Sequence, residues 1–240
     1  MARKRGSSGK RKKSKVRRVI LAVAKGILWF FGITVLWVAV YRFVNPPVTW
    51  LMVQRGFEQK ADDKSWKIEK EWRDLDEISS NLKRAALAGE DAAFETHRGF
   101  DVKAIQAAYE ANQAGGKIRG GSTISQQTAK NVFLWPGRSW VRKGFEAYFT
   151  ALIELLWGKE RILEVYLNVI ETGDGIYGVE AACRQYFNKS SERLSKAQAA
   201  LLVAVLPNPL RWTPARPTRY INHRQYLIMR NMRRIGDISF

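Results

Sequence analysis

Thiol and imidazole chemistry are nearly absent from this 240-residue chain, which has one cysteine, Cys183, and two histidines, His97 and His223. A single thiol excludes an internal disulfide and any multi-thiolate metal site, and two imidazoles exclude a histidine-rich metal centre. Alternating apolar and polar runs are scarce, which argues against a sheet-built fold, and no internal repeat is visible. Acidic residues are also short, 22 Asp and Glu against 41 Lys and Arg, for a formal net charge of +19. Met1 to Arg18 holds ten of those cations and no acidic residue, so the rest of the chain keeps about +9. A domain that basic seeks a polyanion, and nucleic acid, an anionic membrane and a phosphorylated substrate all qualify.

What the chain does have is one long apolar run. Val19 to Tyr41 is 23 residues in which only Lys25 is charged. As a helix it is roughly 34 Å long, enough to cross a bilayer core. Lys25 lies near enough to the amino-terminal end to snorkel to the headgroups, and Tyr41 suits the far interface. A cleaved signal peptide would have a shorter apolar region and a small-residue cleavage pattern, whereas Phe43-Val44-Asn45-Pro46-Pro47 follows here. A core helix of a soluble domain is the other alternative. The basic tail before the run reads as a positive-inside signal rather than a nucleic-acid arm. The expectation is a single-pass protein of the cytoplasmic membrane: residues 1–18 a cytoplasmic tail, 19–41 a transmembrane helix, 42–73 a linker or membrane-proximal segment, and 74–240 an exported domain. Export disfavours nucleic acid as a partner.

The domain reads as mainly α. Asp101 caps a helix over Val102 to Gln113, closed by Gly115-Gly116. Thr123 with Gln126 is a capping box that opens a helix to about Phe133. Further helices are expected over Arg142 to Trp157, Lys159 to Ile170, Tyr177 to Phe187, Ser195 to Leu206 and Pro217 to Arg234.

Four clusters carry the chemistry. In Glu90-Asp91-Ala92-Ala93-Phe94-Glu95-Thr96-His97, a continuous helix would put Glu90, Phe94 and His97 on one face, although such acidic pairs are usually a solvated surface. In Gly120-Gly121-Ser122-Thr123-Ile124-Ser125-Gln126-Gln127-Thr128-Ala129-Lys130, glycines open into a capped helix whose N–H groups offer an anion site, with Lys117, Arg119 and Lys130 beside it. A nucleotide phosphate loop shares the spacing of Gly115 and Gly120. It is excluded because Gly121 stands where that loop requires Lys, and because a helix rather than a strand precedes it. Arg142 and Glu146, in Arg138-Ser139-Trp140-Val141-Arg142-Lys143-Gly144-Phe145-Glu146, are spaced as an ordinary surface pair, but an apolar run starts one residue later. Charge meeting apolar surface there suits a lipid pyrophosphate. The fourth cluster, Lys159 to Asn168, reads as a supporting helix in which Glu164 and Asn168 buttress the site.

In this order the four clusters resemble the signature of the peptidoglycan glycosyltransferases (glycosyltransferase family fifty-one). The match covers roughly Asp76 to Arg216, and its Gly-Ser-Thr-Ile-x-Gln-Gln element is highly specific. No transpeptidase domain follows in the sequence, so the expectation is for the monofunctional branch. The resemblance implies a lysozyme-like α-helical domain with a smaller membrane-proximal lobe. It implies that Glu90 is the catalytic base and Glu146 the second essential carboxylate. Ser122, Thr123, Gln126, Gln127, Lys130, Arg138, Arg142 and Lys143 are then substrate-binding, and Asp91, Phe94, His97, Glu164 and Asn168 supporting. Ser125 stands where the family commonly has Thr, a change that keeps the hydroxyl.

The implied donor carries undecaprenyl pyrophosphate on its anomeric carbon through an α bond, and the implied acceptor is the 4-hydroxyl of lipid II. The growing lipid-linked glycan strand and the membrane are thus its partners, along with other cell-wall synthesis or division proteins. Pyrophosphate leaves readily once its charge is neutralised, whereas an alcohol needs a carboxylate to take its proton. Direct displacement inverts the bond to β-1,4. No cofactor is required by the sequence; family members often work better with a divalent cation, Mg or Mn, but no ligand cluster is dedicated to one. A lytic transglycosylase or muramidase on the same fold is the alternative enzyme, but its acid must expel a sugar and gains nothing from cations beside Glu146. A non-catalytic division scaffold would not need the Gly-Ser-Thr-Ile-Ser-Gln-Gln cap.

Overall fold

The computed structural model describes residues 8–113, 121–137, 139–236 and 238. The chain divides into two compact units, Met1–Val44 and Asn45–Phe240. Among the described residues the first is a single helix, α1 (Ser8–Phe43), whose 29-residue stretch Lys15–Phe43 holds an 18-residue window of mean hydropathy 2.2. At 1.5 Å per residue that stretch is about 44 Å long, which by length and composition suffices for a membrane span.

The second unit is mainly α. Its helices are α2 (Trp50–Ala61), α3 (Ser80–Glu90), α4 (Val102–Gln113), α5 (Ile124–Phe133), α6 (Trp140–Leu156), α7 (Lys159–Val169), α8 (Val179–Phe187), α9 (Lys196–Val205) and α10 (Arg219–Asn231). The predicted helices from Val102 onward all form, and side-chain caps explain five of the seven starts, α7 and α8 beginning instead at Gly158 and Gly178. Asp101 Oδ1 accepts from Ala104 N at 2.9 Å, and Thr123, Ser139, Ser195 and Thr218 each accept a backbone N–H two or three residues inside their helices. Three short strands, β1 (Glu69–Lys70), β2 (Glu171–Gly173) and β3 (Ile176–Tyr177), form a sheet in the order β1-β3-β2. β1 runs parallel and β2 antiparallel to β3, with Glu171 opposite Tyr177. The segment at residues 42–73 thus contributes a helix and a strand to the folded unit.

Two helix groups build the core. α5 packs on α6 and α7, where Phe133 stacks on Phe149 with centroids 4.8 Å apart. α9, apolar on nearly every face, packs between α3 and α10. The approach of α9 to α3 depends on Gly89, because a Cβ there would lie 2.6 Å from Val203 Cγ1 and 3.2 Å from Ile228 Cδ1. Gly89→Ala should therefore cost about 1–3 kcal/mol of stability, readable by denaturant unfolding, because the clash falls on a packed branched side chain. An unchanged midpoint would show that the interface gives way freely.

Two further arrangements hold the site's surroundings. Gln59 of α2 accepts from Lys67 N and donates to Asp174 Oδ1, both at 2.9 Å. This ties α2 to the β2–β3 turn, whose Gly175 has φ +71° and no room for a Cβ beside Lys67 O. Asn168, fully buried, accepts from Arg73 N and donates to Arg73 O, each at 2.8 Å, and also donates to Glu164 O. The chain entering the second unit is gripped as well. Lys70 Nζ donates to the carbonyls of Pro46 and Pro47, and Arg161 donates to Asn45 Oδ1 at 2.9 Å. Both cations lie over the Trp72 ring, at 5.5 and 5.3 Å.

Candidate active site

Glu90 is the last residue of α3, and the chain does not continue as a helix beyond it. Residues 91–99 form turns, so Glu90, Phe94 and His97 share no helical face. The reason is that Asp91 is engaged elsewhere. Its buried carboxylate accepts from Ile124 N, the first N–H of α5, at 2.9 Å, and lies 3.0 Å from His97 Nε2. Gly99 N donates to His97 Nδ1 at 3.1 Å, which leaves the Nε2 proton to be donated to Asp91. Phe94 is fully buried under this strap, with Lys159 Nζ 4.5 Å from its ring centroid. Asp91, Phe94 and His97 thus fasten the end of α3 to the start of α5.

The cap of α5 is a reciprocal box. Thr123 Oγ1 accepts from Gln126 N at 3.1 Å and donates to Gly99 O at 2.7 Å, while Gln126 Oε1 accepts from Thr123 N at 3.0 Å. Thr123 and Gln126 are buried, and these polar atoms are taken up by the box. Ser122 is exposed just before it. One residue further on, Gln127 turns the other way and donates to Glu90 Oε2 at 3.0 Å. Ser125 donates to Glu154 of α6, which Lys159 also holds at 2.7 Å.

Burial raises the Glu90 carboxyl above its ordinary range, and the Gln127 hydrogen bond with the charges of Arg224 and Lys130 offsets part of that shift. Lys130, one helical turn along α5, is pushed down by burial, while Glu146 and Glu90 favour its charge and Arg142 and Lys143 oppose it. Lys130 is therefore the electrostatic link between the two carboxylates. Glu146 is no surface residue: it is 3% exposed, with Arg142 NH1 3.3 Å from its Oε2 and Lys143 bound to its Oε1. Three cations from α5 and α6 converge on one buried carboxylate, a concentration of positive charge suited to a polyanionic leaving group. A cavity of about 370 Å³ opens beside them, lined in part by Lys130, Asn131, Trp135 and Arg142.

Arg138, Gly115, Gly116, Lys117, Arg119 and Gly120 lie outside the described residues. Glu164 and Asn168 sit away from the carboxylates and bind backbone and Arg161 instead. Sequence reasoning missed three participants. Arg224, on α10, reaches Glu90 electrostatically and donates to Ala204 O at 3.1 Å. Lys159 joins Glu154 and Phe94. Tyr166 is fully buried near Glu90 and Asp91, with no hydrogen-bond partner for its hydroxyl among the described residues. The core spacing of Tyr166 was legible, but nothing in its pattern pointed to the carboxylates. Among the described residues no three His, Cys, Asp or Glu side chains group as metal ligands.

The transglycosylase family model matches residues 59–233. A biosynthetic peptidoglycan transglycosylase of Stutzerimonas stutzeri strain A1501 is 50% identical over 225 residues, covering 94% of this chain and 93% of the relative. Proteins with the same name from Pseudomonas fluorescens strain Pf-5 and Pseudomonas syringae pv. syringae strain B728a are likewise 50% identical over 225 residues, and cover 94% and 95% of those relatives. The matched region contains both carboxylates, the α5 box and the cations, so the resemblance in the motifs extends through the whole site. The chain belongs to the transglycosylase family and is a glycosyltransferase enzyme.

Proposed function

We propose that this enzyme polymerises lipid II into β-1,4-linked peptidoglycan strands at the outer face of the cytoplasmic membrane, releasing undecaprenyl pyrophosphate. The relatives' names supply the peptidoglycan, and the charge layout of the site supports the chemistry. The observation that carries the reading is the pairing of a half-buried carboxylate of raised pKa, Glu90, with a cation cluster around Glu146, joined through Lys130. Glu90 takes the proton of the acceptor 4-hydroxyl as its oxygen attacks the anomeric carbon. Gln127 holds the base in place, and the Asp91–His97 strap holds Gln127's helix. Lys130, Arg142 and Lys143, together with Ser122 and Arg138, bind the donor pyrophosphate and neutralise it as the bond breaks. Glu146 orients those cations. The displacement is direct, so the α bond becomes β.

A lytic enzyme would need a protonated acid beside the departing sugar, whereas the cations here favour an anionic leaving group. Incubation with purified lipid II separates the two: polymerisation consumes lipid substrate and releases undecaprenyl pyrophosphate, whereas shortening of preformed glycan with lipid II untouched would overturn the reading.

The orientation rests on ten tail cations preceding one apolar helix. A reporter fused after Arg73 should be active only if it requires export. Activity of a cytoplasm-dependent reporter at that position would invert the topology and remove access to an exported substrate.

A further inference from the structure

The cavity beside Lys130 and Arg142 has a far wall to which the mechanism gives no task. That wall is Arg55 of α2 and Glu171 of β2. Arg55 Nε and NH2 meet Glu171 Oε1 and Oε2 at 2.9 and 3.2 Å, a two-pronged ion pair, and NH1 meets Glu58 at 2.6 Å. The pair is built rather than incidental. Gln59, on the same helix, fixes the β2–β3 turn, and Tyr177 stands opposite Glu171 in the sheet. Tyr177 is fully buried, and its hydroxyl has no hydrogen-bond partner among the described residues. A buried hydroxyl left unsatisfied beside an ion pair is costly unless something else binds there part of the time.

Charge points to the occupant. Among the described residues the cavity's ionic lining is Lys130, Arg142 and Arg55 against one carboxylate, Glu171. Arg55 presents a planar guanidinium of the kind that pairs bidentately with phosphate or carboxylate, and Glu171 occupies that edge. Burial raises the Glu171 carboxyl, while Arg55 favours its charged form. An incoming anion that reaches Arg55 would release Glu171 to accept a proton or to take the Tyr177 hydroxyl as donor.

We propose that Arg55 is a second anion-binding position of this enzyme, with Glu171 its internal placeholder, and that an anionic group of the lipid-linked substrate displaces Glu171 from it. This rests on the proposed function for the substrate class, and it adds residues from α2 and β2 that lie outside the four sequence clusters. The anion is a phosphate or a carboxylate, and the two sources are separable by experiment.

Full-length protein in detergent micelles is titrated with undecaprenyl pyrophosphate, with lipid II, and with undecaprenol as the uncharged control. Glu171→Gln keeps the shape of the side chain and removes the competing charge. It should tighten undecaprenyl pyrophosphate or lipid II by about tenfold, the worth of one charge-assisted hydrogen bond, and leave undecaprenol unchanged. A gain for both charged lipids assigns the anion to phosphate, and a gain for lipid II alone assigns it to a carboxylate of the sugar–peptide. Adding Arg55→Gln to Glu171→Gln should abolish the gain. Equal affinities in wild type and a folded Glu171→Gln protein overturn the proposal. If Glu171→Gln does not fold, Arg55→Ala decides: weaker binding of a charged lipid upholds the proposal, and unchanged affinity for both overturns it. Wild-type turnover of lipid II in the same preparation tests the proposed function separately, so the two can fail independently.

Discussion

Glu90→Gln should lower polymerisation of lipid II by about 10²-fold or more while lipid II still binds. The amide keeps the shape and the Gln127 contact surface but cannot accept a proton. Gln127 would then face an amide in place of the carboxylate oxygen to which it donates at 3.0 Å. The pH dependence carries the sharper test. The working base must be deprotonated, so rate rises as pH climbs through the Glu90 pKa. Burial places that value above the ordinary 4.5, with Gln127, Arg224 and Lys130 offsetting part of the shift. The acid limb of kcat/KM should therefore fall at higher pH than an exposed glutamate would give, and it should vanish in Glu90→Gln. Arg224→Ala removes one offsetting charge and should move the limb to still higher pH. Near-normal turnover in Glu90→Gln, with Glu146→Gln inactive but still binding, would exchange the roles of the two carboxylates.

The second large effect is expected at the cations. Lys130→Ala and Arg142→Ala should each weaken binding of a phosphoglycolipid inhibitor of the moenomycin type by about 10- to 100-fold, since each removes a charged hydrogen-bond donor from the donor pyrophosphate site. The two substitutions differ in their side effects. Arg142 also partners Glu146, which is 3% exposed, so its loss leaves that buried carboxylate with Lys143 as its one close ion-pair partner among the described residues and should lower stability too. Lys130 makes its contribution without so close an ion pair, and burial lowers its pKa. Inhibitor affinity should therefore decline as pH rises through the depressed Lys130 value, a trend that Lys130→Ala should erase. Unchanged affinity in both variants would remove these residues from the pyrophosphate site.

Two helix starts were legible in side chains, Asp101 and Thr123, while Ser139 and Thr218 cap helices whose starts the spacing alone put at Arg142 and Pro217. The sheet was not, because strands of two or three residues carry no period to detect. The stretch after Glu90 could be read as helix from its spacing. Tertiary structure overrode that reading, since Asp91 gains more as the acceptor for Ile124 N and His97 than as one more helical residue. The two carboxylates and the α5 box were visible as local clusters. Arg224, Arg55 and Glu171 were not, because each reaches the site from an element distant in sequence, where a lone Arg or Glu looks like any solvated residue. Spacing alone did not show that Glu146 is buried. An i, i+4 pair reads as surface until the packing of α6 buries it.

The grip on Asn45, Pro46 and Pro47 has a mechanical consequence. On the proposed function the enzyme feeds out a lengthening polymer and is subject to drag, and any pull along the residues before Asn45 enters the second unit at this point. The pull does not fall on one bond. Lys70 passes part of it to β1, and through β1 to β3, while Arg161 passes part to α7. With both cations over the Trp72 ring, these contacts are loaded together rather than in turn. A joint of this kind resists unzipping, so tension arriving from the residues before Asn45 is spread into the sheet and α7 before it can reach the end of α3 and the proposed base, Glu90.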